Sequence, residues 1–90
     1  MTKEKPTVFP EEKVFEDQGK KLILFNDDVN SFDFVIKSLV QVCDHTFEQA
    51  ETCAWIAHFK GKCAVKSGTV EELQSYKTEL INRQLTVSIE

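Results

Sequence analysis

Lys21-Leu22-Ile23-Leu24-Phe25 runs directly into Asn26-Asp27-Asp28. A short block of large apolar side chains, stopped by three residues that favour turns, predicts a buried first strand over 21–25. Beyond the turn, Phe32, Val35, Ile36, Leu39, Val40, Val42 and Cys43 recur at three- and four-residue steps. That spacing predicts a first helix ending near Asp44, with Asn30 or Ser31 placed to cap its free amides.

Thr46-x-x-Gln49 is a capping box, and Phe47, Ala50, Cys53, Ala54, Ala57 and His58 then share a helical face up to Gly61, a left-handed stop. Residues 53–59, C-A-W-I-A-H-F, are apolar nearly all round, so this second helix is expected to pack on two sides, between the sheet and the first helix. Cys63-Ala64-Val65 reads as a weak second strand. Thr69-x-x-Glu72 opens a third helix through Leu73, Tyr76, Leu80 and Ile81, and Leu85 to Ile89 alternates as a third strand. The order is β-α-α-β-α-β, an α+β pattern that allows three strands in one sheet with three helices on one face.

With 90 residues the chain holds one small domain, which excludes a multi-domain enzyme. Hydrophobic residues at 41% and charged residues at 29% match a folded, soluble domain. The net charge of -4 argues against a nucleic-acid binder, which needs clustered Lys and Arg, and suits a cationic ligand. No apolar run approaches the roughly 20 residues of a membrane span, and the first ten lack a signal peptide's apolar middle, so a cytoplasmic protein is expected.

Residues 1–20 mix Lys and Glu with Pro6 and Pro10 and have no periodicity; they are expected to form a flexible arm before a core domain at 21–90. Cys43, Cys53 and Cys63 lack any C-x-x-C spacing and read as free, buried thiols. Only three glycines are present and no phosphate-cradling loop, so ATP-driven work must belong to a partner.

Asn26-Asp27-Asp28 reads either as a turn with a helix cap or as polar groups leaving a strand end to meet a ligand. His58 sits late in an apolar helix and reads either as a satisfied core residue or as a ligand-binding group. Buried without a partner, its ring would cost about 1–3 kcal/mol.

L-I-L-F-N-D-D at 22–28, D-F-V-I at 33–36, H-F-K-G-K at 58–62 and T-V-E at 69–71 together resemble the ClpS family, adaptors of the Clp protease that read N-terminal destabilising residues. The resemblance covers about residues 21–90, with a third helix that looks shorter than the family's. It implies a three-stranded antiparallel sheet carrying three helices. It also implies that Asn26, Asp27 and His58 hold the free α-amino group of a substrate protein. An α-ammonium has three donors and no acceptor, and an amide oxygen, a carboxylate and a neutral imidazole nitrogen supply one acceptor each. Asp28 and Asn30 take supporting or capping roles.

The family's apolar pocket for the first side chain, typically Leu, Phe, Tyr or Trp, falls on Phe32, Val35, Ala54, Ala57 and Leu85. Without the resemblance these are ordinary core positions. The family often has Met at the positions of Phe32 and Ala54 and usually Val at Ala57. A ring opposite two alanines predicts either an aromatic-lined pocket that prefers flat side chains, or a pocket that Phe32 itself fills.

The family's third helix docks on the N-terminal domain of a ClpA- or ClpC-type AAA+ ATPase. Thr69 and Glu71 match that surface, and Lys77 stands next to Tyr76, where the family has Lys. Charge at the ends of helices explains the same residues without a partner. The family also implies that the arm engages the ATPase; a passive tail is the alternative.

The leading expectation is therefore a non-enzymatic, monomeric adaptor with no cofactor or metal and no membrane partner. An interaction module of the same fold that docks on the ATPase without an N-terminal ligand is the alternative. A small hydrolase or metal enzyme built on Asp27, Asp28 and His58 lacks a nucleophile and a glycine-lined oxyanion site.

Overall fold

The computed structural model describes residues 19–90. In chain order the elements are β1 (Lys20–Phe25), α1 (Phe32–Cys43), α2 (Phe47–Lys60), β2 (Lys62–Gly68), α3 (Val70–Asn82) and β3 (Val87–Ile89). The expected flexible arm and its ATPase role fall on residues 1–18, outside the described residues. Lys20, assigned to that arm, already belongs to β1.

β1 is the middle strand of a three-stranded antiparallel sheet with order β2-β1-β3. Alternation aims Leu22 and Leu24 at the helices, where they are fully buried with Leu39, Leu73 and Leu80. Each such leucine contributes about 1.5–3 kcal/mol by leaving water.

β2 is longer than Cys63-Ala64-Val65. Lys66, Ser67 and Gly68 have weak strand propensity, yet they pair with Leu22, Lys21 and Lys20 across a register shift between Leu22 and Ile23. β3 is shorter than expected. Leu85 belongs to the turn after α3, where its N–H donates to the Leu80 carbonyl, and only Val87–Ile89 form the strand.

Both capping boxes form. The Thr46 and Thr69 hydroxyls accept from the N–H groups of Gln49 and Glu72, whose side chains accept in return from the threonine N–H groups. Asp44 (φ 58°) ends α1, and Gly61 (φ 96°) ends α2 in a conformation that costs an L-residue. Ile81, expected on the inner face of α3, is exposed.

α2 packs against both α1 and β2, as expected, but its residues 53–59 are not enclosed all round. Only Ala50, Ala54 and Ala57 are buried, while Trp55, Ile56 and Phe59 are 44%, 37% and 73% exposed. Three alanines give the helix a narrow, close-packed inner edge, which directs its large side chains outward. Cys43 is buried as expected, whereas Cys53 and Cys63 are only half-buried at the α2–β2 junction.

Candidate functional site

Two backbone hydrogen bonds carry the end of β1 to its neighbours. Phe25 N–H donates to the Thr86 carbonyl, and Asn26 N–H donates to the Gly61 carbonyl, each at 2.9 Å. The second bond brings Asn26 to the turn that closes α2, one helical turn beyond His58. Residues 32 positions apart in the chain are thereby placed at one end of the sheet.

Asp27 is held from several directions. Its Oδ1 accepts from the N–H of Val29 at 3.0 Å and of Asn30 at 2.9 Å. Asn30 Nδ2 donates to Oδ1 at 3.3 Å, to Oδ2 at 3.2 Å and to the Gln84 carbonyl at 2.8 Å. Gln84 has φ 69° and stands in the turn before β3, so Asn30 ties the acidic loop to the far side of the fold. A carboxylate offers about four lone-pair positions, and Oδ2 carries only one of these bonds, which leaves it able to accept from a cation.

Neither Asp28 nor Asn30 caps α1. That role belongs to Ser31, whose Oγ accepts from Phe34 N–H at 3.1 Å, while Asn30 uses its amide on Asp27. Asp28 is exposed and adds negative charge beside the loop.

These groups border a cavity of about 280 Å³. Leu24, Phe25, Phe32, Val35, Ala54 and Ala57 form its apolar lining, and Asn26, Asp27, Asp28, Asn30 and His58 its polar lining. The volume lies just below the usual ligand-pocket range of about 300–1,000 Å³, a size suited to one side chain. Leu85 does not line it. That residue is buried in the core near the α3–β3 turn, where it packs as any interior leucine does. Leu24 and Phe25 take part instead, and their position immediately before Asn26 was the available signal.

His58 is exposed on α2 rather than enclosed by apolar neighbours, so no burial penalty demands a partner for it. Its ring stands edge-on to Phe59 and Trp55, with centroids 5.0 and 6.1 Å away. Phe32 leans on Trp55 at 4.4 Å and walls the cavity without closing it. Trp55 and Phe59 stack at 5.3 Å, nearly parallel. This ring cluster was missed because its members read as core when counted by hydrophobicity.

The cavity contains no hydroxyl or thiol nucleophile among its lining residues. Burial pushes the Cys43 thiol up to about 11. Burial and a hydrogen bond with Cys63 push Cys53 up to about 12, so both stay protonated near neutrality. Among the described residues, no group of three or more His, Cys, Asp or Glu side chains is placed to hold a metal ion. No helix among the described residues is long and apolar enough to cross a membrane.

Thr69, Glu71 and Lys77 lie apart from the cavity, on α3. Thr69 is its N-cap, Glu71 is exposed in the first turn, and Lys77 is half-buried.

Residues 16–88 match the family described as "ATP-dependent Clp protease adaptor protein ClpS". The chain belongs to the ClpS family. It is 34% identical over 73 residues to the ClpS adapter of Oleidesulfovibrio alaskensis, covering 79% of this chain and 70% of that protein. Over 54 residues it is 35% identical to the ClpS adapter of Treponema denticola, covering 60% of this chain and 54% of that one. The matched region therefore spans about half the length of the Treponema relative. The fold superposes with a TM-score of 0.74 on Agrobacterium tumefaciens ClpS2 bound to L-phenylalaninamide, at 21% identity and covering 79% of this chain and 93% of that one. At that identity the likeness establishes the shared ClpS fold.

Proposed function

We propose that this ClpS-family protein is an adaptor that binds the free α-amino group and large apolar first side chain of a substrate polypeptide and passes the substrate to a Clp ATPase. One observation carries the reading: a carboxylate, a carboxamide and an imidazole, from Asp27, Asn26 and His58, border an apolar cavity of one-side-chain size. An ammonium donates three hydrogen bonds, and Asp27 Oδ2, Asn26 Oδ1 and the unprotonated His58 nitrogen are its acceptors. The first side chain enters between Val35, Ala54 and Ala57, with Phe32 as one wall. L-phenylalaninamide, the ligand named for the Agrobacterium relative, combines a free α-amino group with a phenyl ring and so has the chemistry this site would accept.

No covalent step belongs to this function. Burying one large side chain contributes about 1.5–3 kcal/mol, and each charge-assisted hydrogen bond about 1.5–3 kcal/mol, before association costs. Micromolar affinity, about -8 kcal/mol, is expected. The unfolding partner is the N-terminal domain of a ClpA- or ClpC-type ATPase in the cytoplasm, met through Thr69 and Glu71 at the start of α3 and Lys77 further along it. Substrates carry N-terminal Phe, Tyr, Trp or Leu.

The test is fluorescence anisotropy with a labelled peptide beginning in Phe, against the same peptide acetylated at its N-terminus, using wild type and His58→Ala. Binding of the free amine alone, lost in His58→Ala, supports the proposal. Equal binding of both peptides refutes it. If neither peptide binds while the ATPase domain still does, the chain is an interaction module without an N-terminal ligand.

A further inference from the structure

The exposed rings on α2 are left over once the pocket is accounted for. Trp55 and Phe59 stack almost parallel, at 5.3 Å and 11°, with 44% and 73% of their surfaces exposed. An i,i+4 pair of rings on a helix surface contributes only about 0.2–0.5 kcal/mol, and clustered exposed aromatics mark contact surfaces. The pair is also continuous with the cavity. His58, which lines it, is edge-on to both rings, and Phe32, which walls it, leans on Trp55 at 4.4 Å.

We propose that Trp55 and Phe59 form a second subsite that receives the third side chain of the bound polypeptide. The inference rests on the N-terminal reading above and adds a second specificity determinant to it. In an extended chain successive side chains point to opposite sides, so the first and third share a face. With the first side chain in the cavity, the second points to solvent and the third returns to the adaptor. Two residues of extended chain advance about 6.6 Å. The ring centroids of Phe59 and Trp55 lie 5.0 and 6.1 Å from that of His58, the group that receives the α-amino end. A chain anchored at His58 therefore reaches the stacked rings with its third residue. The subsite takes large apolar side chains, Leu or aromatic, because its surface is two stacked rings whose one polar group is the indole N–H of Trp55. Half-burial of one such side chain corresponds to about a fivefold gain in affinity over glycine.

Three labelled peptides, beginning Phe-Gly-Gly, Phe-Gly-Leu and Phe-Leu-Gly and otherwise identical, are titrated against wild type and Phe59→Ser, with circular dichroism to confirm that the variant folds. The expected result is a Kd for Phe-Gly-Leu about fivefold below that for Phe-Gly-Gly in wild type, with the ratio falling to near one in Phe59→Ser. Equal wild-type affinities overturn the subsite while leaving N-terminal binding intact, as does a gain that persists in Phe59→Ser. A gain for Phe-Leu-Gly alone overturns the alternation that places the third residue on the rings. Failure of all three peptides to bind removes the adaptor reading and the subsite together.

Discussion

Replacing Asn30 with alanine tests whether the acidic loop is held in a binding-ready shape by its neighbour. The side chain donates to both Asp27 oxygens, at 3.3 and 3.2 Å, and to the Gln84 carbonyl at 2.8 Å. Hydrogen bonds to charged groups are worth about 1.5–3 kcal/mol and neutral ones about 0.5–1.5 kcal/mol. Asp27 and Asn30 are only half-buried, so water replaces part of what is lost and the net destabilisation is about 1–2 kcal/mol. For a domain of this size that lowers Tm by about 5–15 °C.

Binding suffers separately. In Asn30→Ala the Asp27 carboxylate keeps only the N–H groups of Val29 and residue 30, both on Oδ1, and Oδ2 loses its positioning contact. Ordering that side chain again on ligand binding costs about 0.5–1.5 kcal/mol, a rise in Kd of about two- to thirteenfold. Anisotropy with an N-terminal Phe peptide, measured at a temperature where circular dichroism shows the variant folded, gives the Kd. A lowered Tm with unchanged Kd would refute the positioning argument and leave Asn30 as a fold-holding residue only.

Peptide binding is expected to weaken above about pH 8, where the peptide amine gives up its proton and with it the charge the site receives; an unchanged Kd from about pH 7 to 9.5 would remove the ammonium from the site. Phe32 facing Ala54 and Ala57 predicts that an N-terminal Phe peptide binds at least as tightly as its Leu counterpart, with the preference reversing in Phe32→Met; a tenfold preference for Leu in wild type would contradict it. Alkaline stability follows from Cys43, 1% exposed, whose thiol is pushed from 9.0 to about 11 by burial. The folded state keeps a proton that the unfolded chain releases above pH 9, so stability falls as pH rises from 9 to 11, by roughly 2–3 kcal/mol for this group. Urea unfolding of wild type and Cys43→Ala at pH 8, 9.5 and 11 checks this, and parallel pH slopes in the two proteins would refute it.

Where the deciding physics is local, the fold was legible in the chain. Both Thr-x-x-Gln/Glu boxes and the glycine stop at Gly61 depend on residues within one turn of each other, and all three formed. The readings that failed needed partners far away in sequence. Lys66-Ser67-Gly68 is strand because β1 offers it backbone groups. C-A-W-I-A-H-F was misread for a different reason: hydrophobicity alone does not separate Ala54 and Ala57, small enough to bury at a close helix contact, from Trp55 and Phe59, which that contact leaves outside. Of the site, Asn26, Asp27 and His58 were singled out by family resemblance. The Asn26 to Gly61 hydrogen bond that draws them to one place, and the grip of Asn30 on Asp27, required the folded chain.

Trp55 is the chain's single tryptophan, and it is partly hydrated rather than enclosed by the leucine-rich interior. Its emission therefore reports on events at the mouth of the cavity. A molecule settling against Phe32, Trp55 and Phe59 would shift that light without any added label. Melting changes it too, since it parts Trp55 from Phe32 and hydrates the indole fully, and pairing fluorescence with far-ultraviolet circular dichroism in one cuvette tells the two processes apart.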